Sequence, residues 1–231
     1  MHHNDQKKIW EEEHKNPSVL LQMDSQDASS GVKEFYNWYI SHNIEKELHG
    51  LEIWCWKGRN TIFLAQNNIR MTALDFSENA IQEAKRRAKS RQLENVNFIV
   101  HDATETFPFA DNSFDFVVDC FASTDIESLS GRRFARDEIQ RTLKNNGILF
   151  VYTLSSDDEF HKSMWEKNPA EEKHSFTHPS TWKFEKFFDR EELLDFYKDF
   201  DWIEEKRFHK MATFFGKEYA CNHFWLILKK K

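Results

Sequence analysis

Glycine and cysteine are both scarce in this sequence. Its 231 residues include 6 glycines, whereas average usage of about 7% would give more than twice that number. The three cysteines, Cys55, Cys120 and Cys221, are odd in number and widely spaced. This pattern argues against a disulfide framework and against a Cys-x-x-Cys metal pair. It fits a reducing compartment, so we expect a cytoplasmic protein.

Excess positive charge and long apolar segments are also missing. The formal net charge is −7, which disfavours nucleic acid and anionic membranes as partners. A basic run at residues 85–89 belongs to a predicted helix, where we interpret it as a solvated face. No apolar run approaches the ~18 residues of a membrane-spanning helix, and residues 1–15 are too polar for a secretory signal. We therefore expect no membrane partner.

Aromatic residues, by contrast, are plentiful. They make up 15% of the chain and include 22 phenylalanines, enough for a large core. The length favours one domain over residues 1–231. Within it we predict an N-terminal helical cap (1–47), a ligand-binding core (48–155), and a lid with C-terminal strands (156–231).

Strands and helices alternate through the middle of the chain. Short apolar strands are predicted at 51–53, 69–74, 96–100, 114–120 and 148–154, with helices between most of them and a turn at 145–147. This alternation predicts an α/β fold with a parallel sheet and helices on both faces. Residues 156–183 show no clear element and read as a lid or insertion. A helix at 190–200 and two antiparallel edge strands, 202–209 and 223–228, are predicted to follow.

Polar groups follow three successive predicted strands: the turn at 52–60, then Asp75, then Asp102. In open α/β sheets, ligands bind at the carboxyl ends of the strands. A carboxylate after the second strand can accept hydrogen bonds from a ribose diol, although Asp75 could instead cap the helix that follows. Asp102 could likewise be a simple turn residue. The ordered set predicts a nucleotide-like ligand site.

Several segments resemble the motifs of class I S-adenosylmethionine (SAM) dependent methyltransferases. Residues 51–61, Leu-Glu-Ile-Trp-Cys-Trp-Lys-Gly-Arg-Asn-Thr, are similar to the glycine-rich motif I loop. Residues 72–77, 102–103, 107–115 and 138–147 resemble later family segments, and the C-terminal part is loosely similar to tellurite-resistance methyltransferases. The resemblance implies a Rossmann-like, seven-stranded, mostly parallel sheet with an antiparallel C-terminal strand pair.

The same resemblance implies a SAM cofactor and a small-molecule substrate. Asp75 matches the ligand of the SAM ribose hydroxyls, and the Asp102-Ala103 pair matches positions beside the adenine ring. The positions implied to contact the cofactor are Glu52, Trp54, Trp56, Gly58, Asp75, Phe76, Asp102, Ala103 and Cys120. Glu52 is either a direct ligand or an organiser of the loop.

The main departure from the family pattern lies in this loop. Tryptophans occupy the first two glycine positions, Trp54 and Trp56, and only Gly58 is kept. An indole is bulky, and a left-handed backbone there adds strain of about 1–3 kcal/mol. We predict that SAM binding is weakened or abolished. The alternative is that both indoles are ordinary core aromatics in a rearranged loop.

No residue is clearly marked as a catalytic base. His174, His178 and Asp125 are weak candidates. His174 and His178 are spaced i, i+4, but no third ligand is evident, so we predict no metal site. The first function that follows is a small-molecule methyltransferase with an impaired cofactor site. The second is a binding protein, or a deliberately cofactor-blocked variant, that retains the fold without the cofactor. The third is an active enzyme with a shifted cofactor pose. The pattern does not indicate an oligomeric state.

Overall fold

Eight helices and nine strands make up the computed structural model, which describes residues 3–15, 25–42, 47–179, 181–214 and 216–231. The helices are α1 His3–Lys15, α2 Ser30–His42, α3 Arg59–Gln66, α4 Glu78–Ser90, α5 Ala122–Asp125, α6 Leu129–Thr142, α7 Glu159–Trp165 and α8 Arg190–Phe196. The strands are β1 His49–Ile53, β2 Arg70–Asp75, β3 Val96–Val100, β4 Phe114–Cys120, β5 Leu143–Leu154, β6 Ser175–Thr177, β7 Phe184–Lys186, β8 Phe200–Phe214 and β9 Lys217–Lys230.

Seven of these strands form the main sheet, in the order β3-β2-β1-β4-β5-β9-β8. Strands β1 to β5 are mutually parallel, while β9 runs antiparallel to β5 and β8 antiparallel to β9. The predicted Rossmann-like sheet with an antiparallel C-terminal pair is therefore confirmed. The strand order reverses between β1 and β4, where open α/β sheets bind ligands.

The apolar core lies on both faces of this sheet. Alternation along a strand sends Phe116, Phe150 and Trp225 to one face, against α2 and α3, and sends Val117 and Leu149 to the other, against α6 and α8. All seven positions of β4 are buried, as expected for a central parallel strand covered on two sides. Each fully buried large apolar side chain contributes about 1.5–3 kcal/mol.

Two predictions near the sheet were wrong in detail. The turn expected at 145–147 lies inside β5, because the β4 pairing shifts register between Phe114 and Phe116 and accommodates the extra residues as a bulge. The predicted helix at 190–200 ends at Phe196, since Phe200 already begins β8. The two C-terminal strands extend further than expected, on either side of Gly216.

The segment predicted to lack regular structure, 156–183, was also misjudged. It contains α7, and its strand β6 forms a small antiparallel sheet with β7. Asp158 caps α7 by accepting a hydrogen bond from the His161 backbone N–H. The strands were missed because β6 and β7 are three residues each, too short for a visible alternation. Among the described residues, no helix is long and apolar enough to cross a membrane.

Candidate functional site

The loop that follows β1 keeps the backbone of a glycine-rich turn. Trp54 and Trp56 have φ values of 58° and 53°, and Gly58 has a φ of 76°. Residues other than glycine adopt this left-handed conformation at a cost of about 1–3 kcal/mol each. A Cβ on Gly58 would also lie 2.9 Å from the Phe98 ring. Two tryptophans therefore hold a backbone conformation that glycine adopts freely.

The two indoles point into different surroundings. Trp54 is 6% exposed and packs edge-on against Phe76, with ring centroids 4.9 Å apart. Its indole N–H is buried and has no hydrogen-bond partner among the described residues, which costs about 1–3 kcal/mol. Trp56 is partly exposed, lies 5.9 Å from Trp10, and lines a cavity. Trp54 thus packs in the core, and Trp56 lines the cavity.

Asp75, at the end of β2, is turned toward this loop. One carboxylate oxygen accepts a hydrogen bond from the Trp56 backbone N–H at 2.8 Å, and the other accepts one from the Ser77 backbone N–H at 2.9 Å. The side chain is 1% exposed. Burial raises the pKa of Asp75 to about 7, against the lowering effect of these two hydrogen bonds.

Glu52 organises the same loop from β1. Its carboxylate accepts hydrogen bonds from the Asn60 side-chain amide at 2.8 Å and from the Thr61 hydroxyl. Asn60 in turn accepts a hydrogen bond from the Ser29 backbone N–H at 2.9 Å. Burial raises the pKa of Glu52 to about 7. The contacts match the loop-organiser reading of Glu52.

Asp102 and Ala103 follow β3, beneath the N-terminal helix. Asp102 forms an ion pair with Lys7 of α1 and accepts hydrogen bonds from the Thr104 backbone and hydroxyl at 2.7 and 2.8 Å. Burial acts to raise the pKa of Asp102, but Lys7 and Thr104 together outweigh it and lower that pKa. Ala103 is 2% exposed. Both residues are covered rather than open to solvent.

Helix α1 lies across this edge of the sheet through several contacts. Trp10 is 2% exposed beside Trp56, and Glu11 accepts a hydrogen bond from Asn79 of α4. Glu13 forms an ion pair of 3.0 Å with Lys183, and both side chains are 4% exposed. The helix therefore bridges α4 and the segment before β7, and covers the strand ends where a ligand would enter.

A cavity of about 250 Å³ remains between α1, the motif loop, α5 and the C-terminal strands. Its walls combine aromatic, acidic and basic side chains: Trp10, Ser29, Ser30, Trp56, Arg59, Phe121, Thr124, Asp125, Tyr152, Leu154, His161, Glu185, Lys210, Cys221 and His223. Cys120 ends β4, is buried, and is not part of this lining; burial raises its thiol pKa to about 12.

His161 is a cavity residue that the sequence analysis did not single out. Its Nδ1 lies 2.6 Å from an Asp158 carboxylate oxygen, and its Nε2 lies 3.8 Å from Glu185. Burial lowers the pKa of His161, but the hydrogen bond to Asp158 and the charge of Glu185 outweigh it and raise that pKa. The Asp-x-x-His spacing at the start of a helix was the available signal, since N-cap and N3 side chains are neighbours.

The three candidate bases lie in different places. Asp125 lines the cavity at the end of α5. His174 contacts Glu192 at 2.9 Å, and the His178 ring accepts a hydrogen bond from the Thr181 backbone N–H at 3.3 Å. Neither histidine belongs to the described cavity lining.

A group of possible metal ligands, His174, Asp189 and Glu192, lies close together outside the cavity. Its carboxylates already carry cationic partners. Lys173 pairs with Asp189 at 2.8 Å, and Lys186 pairs with Glu192 at 2.9 Å. The cluster is therefore explained as an ion-pair network around the start of α8.

Comparison with known proteins agrees with this architecture. A family model described as a methyltransferase domain matches residues 44–216, three quarters of the chain. The chain belongs to this methyltransferase family, and its fold is that of the class I SAM-dependent enzymes.

Individual relatives are more distant. The chain is 34% identical over 112 residues to a demethylmenaquinone methyltransferase of Leptospira interrogans, a match that covers 47% of this chain and 44% of that protein. The chain thus matches less than half the length of this curated relative.

Two solved structures share the fold. A SAM-dependent methyltransferase of Methanosarcina mazei has a TM-score of 0.72 at 22% identity, covering 88% of this chain and 98% of its own. The 1,6-didemethyltoxoflavin-N1-methyltransferase of Burkholderia thailandensis, solved with its substrate and S-adenosylhomocysteine, has a TM-score of 0.72 at 14% identity. That match covers 100% of this chain and 91% of the other.

Proposed function

We propose that this chain is a small-molecule-binding member of the methyltransferase family in which SAM binding is weakened or abolished. The observation that carries the proposal is the occupation of two left-handed loop positions by Trp54 and Trp56, with the Trp56 backbone bonded to Asp75. In this arrangement the residues at the motif positions do not fit the cofactor. No methyl-transfer step is therefore assigned to them.

The argument for weakened SAM binding begins with volume. Each indole occupies space beside a loop whose glycines, in the family pattern, let the backbone approach its ligand closely. Trp54 packs against Phe76, the residue after the ribose-binding acid of the family. Trp56 lines the cavity beside this loop, so a cofactor bound there would have to displace its ring.

The two acids add an electrostatic argument. A ribose diol would donate hydrogen bonds to Asp75, yet this carboxyl is 1% exposed and already accepts two backbone N–H groups. Asp102 is held by Lys7 of the covering helix. Opening the Asp102 site requires α1 to move, and opening the Asp75 site breaks hydrogen bonds from the Trp56 and Ser77 backbone. Each ordinary hydrogen bond broken costs about 0.5–1.5 kcal/mol, and a charged one costs more.

The remaining cavity supports binding of a small ligand. Its volume of about 250 Å³ is slightly below the ~300–1,000 Å³ usual for ligand pockets, so the ligand would be small. The Leptospira and Burkholderia relatives are named for methylation of small organic compounds, demethylmenaquinone and 1,6-didemethyltoxoflavin. We propose a ligand of that general class. Asp125, a weak candidate base in the sequence analysis, lines the cavity and is the proposed polar contact.

A SAM-dependent small-molecule methyltransferase is the second candidate function. Gly58, Asp75 and Asp102 are all retained, and the family relationship favours this activity. Under this alternative, α1 and Trp56 would move to admit the cofactor, and Asp125 would be the candidate proton acceptor.

Calorimetric titration of the full chain with SAM and with S-adenosylhomocysteine separates the two. We expect no binding heat at micromolar ligand. We also expect no rise in thermal stability, although ligand at 100 times its dissociation constant adds about 2.7 kcal/mol when it binds. Micromolar binding of either compound would overturn the proposal and favour the enzyme.

The domain organisation, location and partners expected from the sequence are also proposals. We propose a single domain with a cap (1–47), core (48–155), and lid with C-terminal strands (156–231). We also propose a cytoplasmic location and no nucleic-acid partner. The three cysteines are free and buried, which supports a reducing compartment.

A further inference from the structure

We propose that the cavity selects a small organic cation, an amine with an aromatic or alkyl body, whose ammonium group binds between Asp125 and Glu185. These two carboxylates define what we call the acidic end of the cavity. The inference rests on the proposed small-molecule function and names the chemical class of its ligand.

Asp125 is the first observation. Its side chain lines the cavity although the residue is 5% exposed. Among the residues that the structure describes, burial and neighbouring charges act on its carboxylate, and no hydrogen-bond donor is among these influences. A buried carboxyl without a partner is unfavourable, and such groups in native proteins normally have one. A ligand N–H⁺ at this point would satisfy it.

Glu185 is the second observation, from the strand β7 across the cavity. Its Oε2 atom is buried without a hydrogen-bond partner among the described residues, and the His161 Nε2 lies 3.8 Å away, beyond hydrogen-bond distance. His161 is held instead by Asp158, through Nδ1 at 2.6 Å. The second carboxylate is therefore also open to a donor.

The charges around Asp125 favour a cation. The charges that affect it most are those of the acids Glu185, Asp119 and Asp75 and of the Lys183 ammonium group. Lys183 is engaged by Glu13 at 3.0 Å. The acidic end thus gathers more carboxyl groups than ammonium groups. Burial keeps the proton on Asp125, and a cationic ligand would replace that proton by pairing with the carboxylate.

The aromatic wall has the matching chemistry. The Lys183 ammonium lies 4.9 Å from the Trp10 ring centroid, so this indole already stabilises one cation. Trp56, Phe121 and Tyr152 line the rest of the cavity and provide apolar contact for the body of the ligand.

Basic side chains also line the cavity. Among them, His161 is held by Asp158, and Arg59 and Lys210 are better solvated. Arg59 is half-buried and Lys210 is exposed, so water satisfies much of their charge. Asp125 has little access to water. The competing hypothesis is an anionic ligand paired with Arg59. A matched set of charged and neutral probes distinguishes it from a cationic ligand at Asp125.

Isothermal titration of the full chain with three probes of similar shape tests the inference: 2-phenylethylamine, 2-phenylethanol and 3-phenylpropionate. We expect the amine to bind about 10- to 100-fold more tightly than the alcohol, the range that a charged hydrogen bond supplies. Asp125→Asn should remove this preference. Asp195→Asn, the same change at an exposed position of α8, should retain it.

Equal affinity for amine and alcohol, preference for the carboxylate, or no binding of any probe would each overturn the inference. Should Asp125→Asn fail to fold, Glu185→Gln replaces it and is expected to reduce the preference. Titration of the same sample with SAM tests the proposed function independently of the amine preference. SAM binding would contradict the proposed function, whereas the amine preference is tested by the affinities of the amine, alcohol and carboxylate probes.

Discussion

The backbone N–H of Trp56 donates a hydrogen bond of 2.8 Å to the carboxylate of Asp75. This contact joins the two motifs that hold the cofactor in the family pattern. Trp56 sits at a glycine position of motif I, and Asp75 at the acid of motif II. In this chain the acid binds the backbone of the loop. Trp56→Gly would keep this N–H, so recovery of a cofactor site depends on removal of the indoles.

Replacement of both tryptophans should restore SAM binding. In the Trp54→Gly, Trp56→Gly variant we expect calorimetric binding near the micromolar range, because the change removes two indoles and leaves the left-handed backbone free of strain. Loss of the buried Trp54 ring should lower stability by about 3–5 kcal/mol, partly offset by the strain relieved. Trp56→Gly alone is the milder variant, since Trp56 is only partly buried.

Trp182→Gly is the matched control for this experiment. Trp182 also has a positive φ, 60°, but it is 55% exposed and lies outside the motif loop. It should gain stability from relief of strain and gain no SAM affinity. If the double variant remains unable to bind SAM, the tryptophans are not what closes the site.

Glu52→Gln should flatten the pH dependence of stability. The pKa of Glu52 is raised by burial from 4.5 to about 7, so the folded state holds a proton that the unfolded chain releases. The free energy of unfolding from this group is then largest below about pH 4.5 and declines as pH rises through 7. The amide can keep both contacts, accepting from Asn60 and donating to the Thr61 hydroxyl.

Urea denaturation at pH 5 and pH 8 measures this effect. We expect Glu52→Gln to be more stable relative to the parent chain at pH 8 than at pH 5. Glu94→Gln, at an exposed position, should show no such difference. Parallel pH profiles for the parent and Glu52→Gln would contradict the assignment.

The buried ion pair of Glu13 and Lys183 should hold α1 against the rest of the molecule. Lys183→Met breaks the buried ion pair with Glu13, which costs about 3–5 kcal/mol. Adding Glu13→Gln should recover part of this loss. Lys162→Met removes an exposed pair of 3.9 Å and should cost no more than about 1 kcal/mol by the same denaturation measurement. A similar small loss for Lys183→Met would show that α1 does not depend on this pair.

Amine binding should release a proton and strengthen as pH rises. Burial raises the pKa of Asp125 well above its usual range, and the charge of Glu185 raises it further, with smaller effects from Lys183, Asp119 and Asp75. Asp125 then ionises as the ammonium group arrives, so affinity increases with pH until the amine itself deprotonates. Titrations of 2-phenylethylamine in buffers of different ionisation enthalpy count the protons released. Proton uptake on amine binding would contradict the predicted ionisation of Asp125.

Local pattern was enough to predict most of the sheet and its motif positions. The apolar runs alternate with helices, and each of Glu52, Asp75 and Asp102 follows or ends a strand at the sheet's carboxyl edge. The strands β6 and β7 were missed because each has only three residues. The bulge in β5 was missed because it is set by pairing with β4, which is distant in sequence.

Some features of the candidate site could likewise be predicted from the sequence, and others could not. Two tryptophans at glycine positions were readable from the sequence, because motif spacing and side-chain volume are local properties. The tertiary structure decided their different surroundings, the cover formed by Lys7 and Trp10, and the cavity shared by Asp125 and Glu185. Those contacts join residues up to about 100 positions apart, and packing alone determines which distant groups share a cavity.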